Sequence, residues 1–138
     1  MENNILKNDK ERKKRMDKIY IIEGDGFVAF DVKSKKDLLA TSSEEIATRM
    51  CRILSDFVIK VCIPKIKEKI RMGKVNIDMR DYTFDEAFKH IPDSKDILKN
   101  VCASILNPKQ FDYLIEELIV KQIHCEPNGF YIKELPII

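Results

Sequence analysis

An acidic residue and a lysine stand two positions apart at the end of an apolar stretch. Residues 27–33 run Phe-Val-Ala-Phe-Asp-Val-Lys, and side chains two apart project from the same face of a β-strand. Asp31 and Lys33 are therefore expected side by side, a carboxylate of the kind that binds hard cations next to an ammonium group. The simpler interpretation is a solvent-facing hairpin edge, on which Lys33 guards against the addition of another strand.

This Asp-x-Lys pattern resembles the metal-binding half-motif of the PD-(D/E)xK nucleases. In that family carboxylates hold Mg²⁺ and the lysine helps to activate water. The resemblance implies a divergent nuclease in which Asp31 and Lys33 act together with an acid on a paired, upstream strand. Glu23 and Asp25 are the candidates for that acid, and both lie close in sequence to Asp31, across a predicted tight turn.

The remaining reactive side chains have structural explanations. The carboxylates between Asp78 and Glu86 suit helix capping and the solvation of a strand edge. His90 and His124 are far apart in sequence, and the four cysteines lack the spacing of a zinc site. The sequence has no glycine-rich phosphate loop and no nucleophile elbow. We therefore predict no metal and no cofactor, and an enzyme is the less favoured class of protein.

The basic residues fall into local groups, because 25 basic and 23 acidic residues leave a net charge of only +2. Residues 1–17 form a basic arm, expected to be flexible, that includes Lys13, Lys14 and Arg15. A second group lies on a predicted helix: Lys65, Lys67, Lys69 and Arg71. Such groups bind phosphates through charge alone, so direct nucleic-acid binding is an alternative function. A solvated helix face is the simpler interpretation.

A β-hairpin is the first predicted scaffold for these residues. Residues 19–22 and 27–33 are apolar enough for two strands, and Glu23-Gly24-Asp25-Gly26 between them has the composition of a hairpin turn. The segment 34–40 is expected to be a loop. This hairpin would hold the acid and the lysine at its edge.

A long helix and a third strand follow. Apolar residues recur at helical spacing from Ile46 to Cys62, which predicts a central, buried helix. Pro64 must kink that helix or start a new segment, because proline has no N–H to donate. Alternation of apolar and polar residues over 75–79 predicts a half-buried strand that joins the hairpin.

The C-terminal part, residues 83–135, predicts two helices, a turn, a third helix and a second hairpin over 123–133. The order resembles a winged helix-turn-helix domain through three segments: the turn 106–109, the helix 111–122 and the wing tip Pro127-Asn128-Gly129. DNA-binding members place the helix after the turn in the major groove. Here that helix carries Asp112, Glu116 and Glu117, which implies a protein-binding winged helix or contacts made elsewhere. A helical bundle capped by an unrelated hairpin is the other interpretation.

Together these patterns predict one α+β domain over residues 18–138. An N-terminal hairpin and a third strand pack on the long central helix, and the helical, winged-helix-like part follows and ends in a hairpin. The leading function is a non-catalytic binding or regulatory protein that acts through one surface on a protein or a protein–nucleic-acid complex. The bias towards Lys, Ile and Asn suits an AT-rich genome, and we expect an inhibitor from a virus or a mobile element.

Three aromatic residues are the predicted anchors of that surface: Tyr113, Phe130 and Tyr131. The apolar tail 135–138 is expected to pack on the domain itself or on a second copy, so a homodimer is one predicted assembly. No apolar run approaches the roughly 18 residues that a membrane span requires. We therefore expect no membrane partner and a location in the cytoplasm or nucleus.

Overall fold

The computed structural model describes residues 18–29 and 32–137. Its elements are β1 (Lys18–Ala29), β2 (Val32–Thr41), α1 (Glu44–Phe57), a π-helical turn (Val58–Cys62), α2 (Ile63–Arg71), a 3-10 turn (Met79–Asp81), α3 (Phe84–His90), α4 (Ser94–Cys102), α5 (Pro108–Val120) and β3 (Phe130–Pro136). Helices and an antiparallel sheet are both present, so the predicted α+β class is confirmed.

The sheet has three antiparallel strands in the order β2-β1-β3, with β1 in the centre. The predicted hairpin is present, but its strands are longer than expected and its turn lies elsewhere. β1 runs through Gly24-Asp25-Gly26, and the predicted loop over 34–40 is part of β2. The connection between the strands falls at residues 30 and 31, which lie outside the described residues.

Two glycines of β1 permit close packing and do not form a turn. A Cβ atom at Gly26 would overlap the carbonyl oxygen of Lys121, and one at Gly24 would lie 3.0 Å from Cγ2 of Ile123. Because glycine has no side chain, β1 can approach the end of α5 this closely. The turn prediction was wrong because the sequence does not distinguish a glycine that allows another segment to pack closely on the strand from a glycine that forms a turn.

The third strand is not the one that the alternating pattern predicts. Residues 75–78 form neither helix nor strand, and the third strand is β3. β3 pairs with β1 from Lys18 opposite Pro136 to Gly24 opposite Phe130. Val75, Ile77 and Met79 pack against the core. The alternating pattern therefore reflects a segment with one buried side and does not indicate strand pairing.

The predicted second hairpin over 123–133 does not form. Ile123 bridges to Gly26 and His124 bridges to Thr83, whereas β3 pairs with β1. Only a turn remains between these segments, where the N–H of Gly129 donates to the carbonyl of Glu126 (3.1 Å). Helices α3, α4 and α5 follow in the predicted order, and the likeness to a winged helix-turn-helix domain stays a prediction.

The long helix continues from α1 into α2 through the π-helical turn. The N–H of Ile63 donates to the carbonyl of Val58, five residues earlier, and Pro64 lies in the first turn of α2. The π-helical turn contains one residue more than an α-helical turn. This wider turn accommodates Pro64, whose ring and missing N–H disfavour it inside an ordinary α-helix. The hydroxyl of Tyr82 donates to the carbonyl of Cys62 (3.0 Å) and so satisfies an acceptor in this turn.

One apolar core joins the sheet, the long helix and the C-terminal helices. Its largest fully buried side chains are Ile22, Leu38, Met50, Leu54, Ile66, Tyr82, Phe84, Ile91, Leu98, Leu114, Leu118 and Ile123. Phe84, the first residue of α3, stacks on Phe57 of α1 (6.2 Å) and meets Phe130 of β3 edge-on (6.0 Å). The start of α3 is therefore anchored to the long helix and to the sheet at once.

Candidate functional site

The central strand changes neighbours near its C-terminal end. Up to Gly24 it pairs with β3, and beyond that point the N–H of Phe27 donates to the carbonyl of Gln122 (3.2 Å). The segment after Gln122 binds in turn to the start of α3, since the N–H of Phe84 donates to the carbonyl of Ile123 (2.9 Å). Residues from three distant parts of the sequence therefore meet at this end of the sheet.

A cleft of about 540 Å³ opens at this junction. Its lining residues are Phe27, Val28, Ala29, Asp81, Thr83, Asp85, Glu86, Ile119 and Gln122. The strand and the end of α5 supply apolar side chains, and the start of α3 supplies carboxylates. The cleft therefore has one apolar wall and one acidic wall.

The apolar wall is open to solvent. Val28 is 54% exposed, and Val32, which begins the next strand, is 60% exposed. Valine suits a strand when its side chain is packed, yet here two valines at the end of the hairpin remain largely uncovered. Of these two valines, Val28 lines the cleft and Val32 does not, so Val28 supplies exposed apolar surface to this wall.

The carboxylates of Asp85 and Glu86 have solvent-accessible partners, and the contact of Glu86 with His90 is an ion pair when the imidazole is protonated. Asp85 lies 3.4 Å from Lys89 and Glu86 lies 3.3 Å from His90, each one turn along α3. Exposed pairs of this kind contribute about 0.3–0.5 kcal/mol, so a cation brought by a ligand can compete for the carboxylates. Among residues 18–29 and 32–137, no group of three or more His, Cys, Asp or Glu side chains is placed to hold a metal ion.

A buried histidine lies beside the cleft. Nε2 of His124 donates to the carbonyl of Met79 (3.2 Å), because a carbonyl can only accept. Nδ1 then either accepts from Nζ of Lys33 (3.2 Å) or, when protonated, donates to Oε2 of Glu126 (3.4 Å). The ring also meets Phe27 edge-on at 5.4 Å. Sequence reasoning missed this cluster because Lys33 and His124 are 91 positions apart and no local motif joins them.

Of the predicted nuclease motif, Glu23 and Lys33 are not brought together. Lys33 lies opposite Phe27 and contacts His124, whereas the carboxylate of Glu23 is 3.5 Å from Nζ of Lys133. Along β1, Glu23 and Phe27 are about 13 Å apart at ~3.3 Å per residue. Asp31 lies outside the described residues.

The predicted basic group on α2 divides into two flanks. At 100° per residue, Lys65 and Lys69 project on one side of the buried Ile66, and Lys67 and Arg71 project on the other. Lys65 lies 3.4 Å from Asp93, and Arg71 lies 3.7 Å from Glu68. These cations do not form one continuous surface. Lys13, Lys14 and Arg15 lie outside the described residues.

The three predicted aromatic anchors have different surroundings. Tyr113 is 51% exposed on α5, and its hydrogen bond to Glu117 raises the pKa of its hydroxyl. Phe130 packs against the core, whereas Tyr131 projects from the opposite face of the sheet, as adjacent strand residues must. The hydroxyl of Tyr131 donates to Asp25 (2.8 Å), which raises its pKa. The structure thus places Phe130 and Tyr131 on different surfaces.

Comparisons of the chain with protein-family models, curated proteins and solved structures found no match. Within the described part of the chain, every helix is too short or too polar to cross a membrane.

Proposed function

We propose that this chain is a non-catalytic binding protein that recognises a protein partner through the cleft between β1 and α3. The observation that carries the proposal is the pairing of an apolar wall that includes the exposed Val28 with an acidic wall formed by Asp85 and Glu86. The complementary ligand is a protein segment with a lysine or arginine beside aliphatic side chains.

The two walls have different roles in recognition. Burial of apolar surface supplies affinity at about 25 cal/mol per Å². The exposed side chain of Val28 offers such surface, and no polar group of that side chain has to lose its water when a ligand covers it. The carboxylates select for a basic segment and repel an acidic one, so they set specificity and the rate of association. A nuclease function draws no comparable support, because Glu23 and Lys33 lie apart and pair with different residues.

The test is capture of partners from the native cell lysate with the tagged full chain, with and without nuclease treatment, and identification of the partners by mass spectrometry. A Val28→Lys variant places inside the cleft the cation that the partner is expected to supply. Val101→Lys is the matched control, since Val101 on α4 is 49% exposed and does not line the cleft.

Three outcomes are informative. A partner held by the wild type and by Val101→Lys, but lost by Val28→Lys, supports the proposal. Equal capture by all three chains shows that another surface binds. Loss of every partner on nuclease treatment indicates direct nucleic-acid binding, which titration of affinity against salt then measures.

A further inference from the structure

The outer edge of β3 has backbone groups that pair with no other strand among the described residues. The N–H of Asp25 donates to the carbonyl of Gly129 (3.2 Å), which fixes the alternation of the antiparallel ladder. The backbone N–H and carbonyl groups of the odd-numbered residues of β3 therefore point towards β1. Those of Phe130, Ile132 and Glu134 point away from it, towards the outer edge. Pro136, which has no N–H, falls in the outward set, as a proline in an edge strand should.

Pro136 and the charged Glu134 protect the C-terminal part of this edge, whereas the part around Ile132 carries no proline and no bulge. No hydrogen bond among the described residues uses the outward groups of Ile132 or Glu134. The Ile132 and Leu135 side chains are 38% and 41% exposed. The lysine of this strand, Lys133, contacts Glu23 and Asp37 across the sheet and does not guard the edge.

The register between β1 and β3 also suits further pairing. It is regular from Lys18 opposite Pro136 to Gly24 opposite Phe130. An edge strand without a bulge presents evenly spaced donors and acceptors to another strand. The β3 edge is therefore straight, apolar in part and unpaired within the described residues.

We propose that β3 pairs antiparallel with β3 of a second copy of this chain, so that two three-stranded sheets become one. A two-fold axis perpendicular to the sheet keeps the helix-covered faces of both copies on the same side. Because side chains opposite each other must then lie on the same face, even-numbered residues pair with even-numbered ones and odd with odd. Centring the axis on Ile132 puts Ile132 opposite its own counterpart and Tyr131 opposite Lys133 of the second copy. That register makes an apolar contact between the two Ile132 side chains and sets no like charges directly opposite each other.

The alternative register, centred on Lys133, is less favourable for two reasons. It places two lysines directly opposite each other, which destabilises a strand pair. It also places Phe130 opposite Pro136 of the second copy, where the missing N–H costs hydrogen bonds. This surface is separate from the cleft, so the dimer and the proposed binding function can fail independently.

Sedimentation velocity of the full chain across the micromolar range tests the dimer. We expect a concentration-dependent dimer whose Kd rises roughly tenfold or more in Ile132→Lys, because two lysines then meet at the axis. Ile137→Lys is the matched control, since Ile137 is 41% exposed and lies beyond the strand. A monomeric wild type, an unaffected Ile132→Lys, or equal loss in both variants would overturn the proposal.

Cysteine cross-linking tests the register and does not depend on a destabilising change. In a Cys51→Ser background, Ile132→Cys is expected to form a disulfide-linked dimer on mild oxidation, because hydrogen-bonded partners lie about 5.5 Å apart between Cα atoms. Lys133→Cys is expected to remain uncrosslinked. The reverse result, or no cross-link in either variant, contradicts pairing centred on Ile132.

Discussion

One face of the sheet is closed by apolar packing, whereas the opposite face is stabilised by polar pairs. On the first, Ile22 and Leu38 join the core that includes Leu54 of α1. On the second, Lys133 links Glu23 to Asp37, and Tyr131 donates to Asp25. The difference shows that the same three strands are held by non-directional burial on one side and by directional contacts on the other.

The largest expected effect tests the apolar face. Leu54→Ala removes a fully buried side chain from the long helix, and we expect a loss of about 2–5 kcal/mol in the free energy of unfolding. Urea denaturation measures it. Val101→Ala is the control on an exposed position and should change stability by no more than about 0.5 kcal/mol. Similar losses in both variants would show that the core does not dominate.

A buried tyrosine gives the next largest effect. Tyr82→Phe removes a buried hydrogen bond to the carbonyl of Cys62, and we expect a cost of about 1–1.5 kcal/mol. Burial raises the pKa of Tyr82 far above its ordinary value. The neutral phenol is therefore favoured in the folded state. Its contribution to stability is fully present below the ordinary pKa of about 10. The contribution declines as the pH rises above that value, because the unfolded chain loses the phenol proton first.

The pH dependence separates the hydroxyl from the packing of the ring. Denaturation at neutral pH and at alkaline pH should show a smaller loss of stability with rising pH in Tyr82→Phe than in the wild type. An unchanged slope would mean that this phenol does not contribute to alkaline unfolding.

The smallest expected effect tests the polar face with the same substitution. Tyr131→Phe removes the hydrogen bond to Asp25 from a half-buried position, and we expect a cost of about 1 kcal/mol. Thermal unfolding at low and high salt measures this difference. Salt should leave most of the effect of Leu54→Ala intact and weaken the polar contacts. A larger loss for Tyr131→Phe than for Tyr82→Phe would reverse the comparison between the faces.

Sequence reasoning recovered one face much better than the other. The long helix follows from apolar residues at helical spacing, and the helix predicted over 111–122 is present as α5, which begins with a capping box at Asn107. Such patterns are local and appear in a single stretch of sequence. The contact of Lys33 with His124 and that of Asp25 with Tyr131 depend on strand register, which no local pattern encodes.

The errors have the same physical origin. The third strand was expected at 75–79 because apolar and polar residues alternate there. Such alternation indicates that one side of a segment is buried and the other exposed, and it does not show whether a neighbouring strand is present. The turn was expected at Gly24-Asp25-Gly26 because the sequence does not show that Lys121 and Ile123 lie against these glycines. The cleft was missed for a related reason, since its walls come from segments that only the complete fold brings together.

The exchange of neighbours along β1 has a consequence for the order of folding. Its partners after β2 are residues 122–124 and β3, about a hundred positions further along the chain. Until those residues have been synthesised, the sheet has two strands, and its cover is the helical part of the chain made before them; two strands alone are marginally stable in water. Distant contacts of this kind slow folding. During synthesis, therefore, the edge of β1 that faces away from β2 stays unpaired, and open to aggregation or chaperone binding, until the chain beyond α5 emerges.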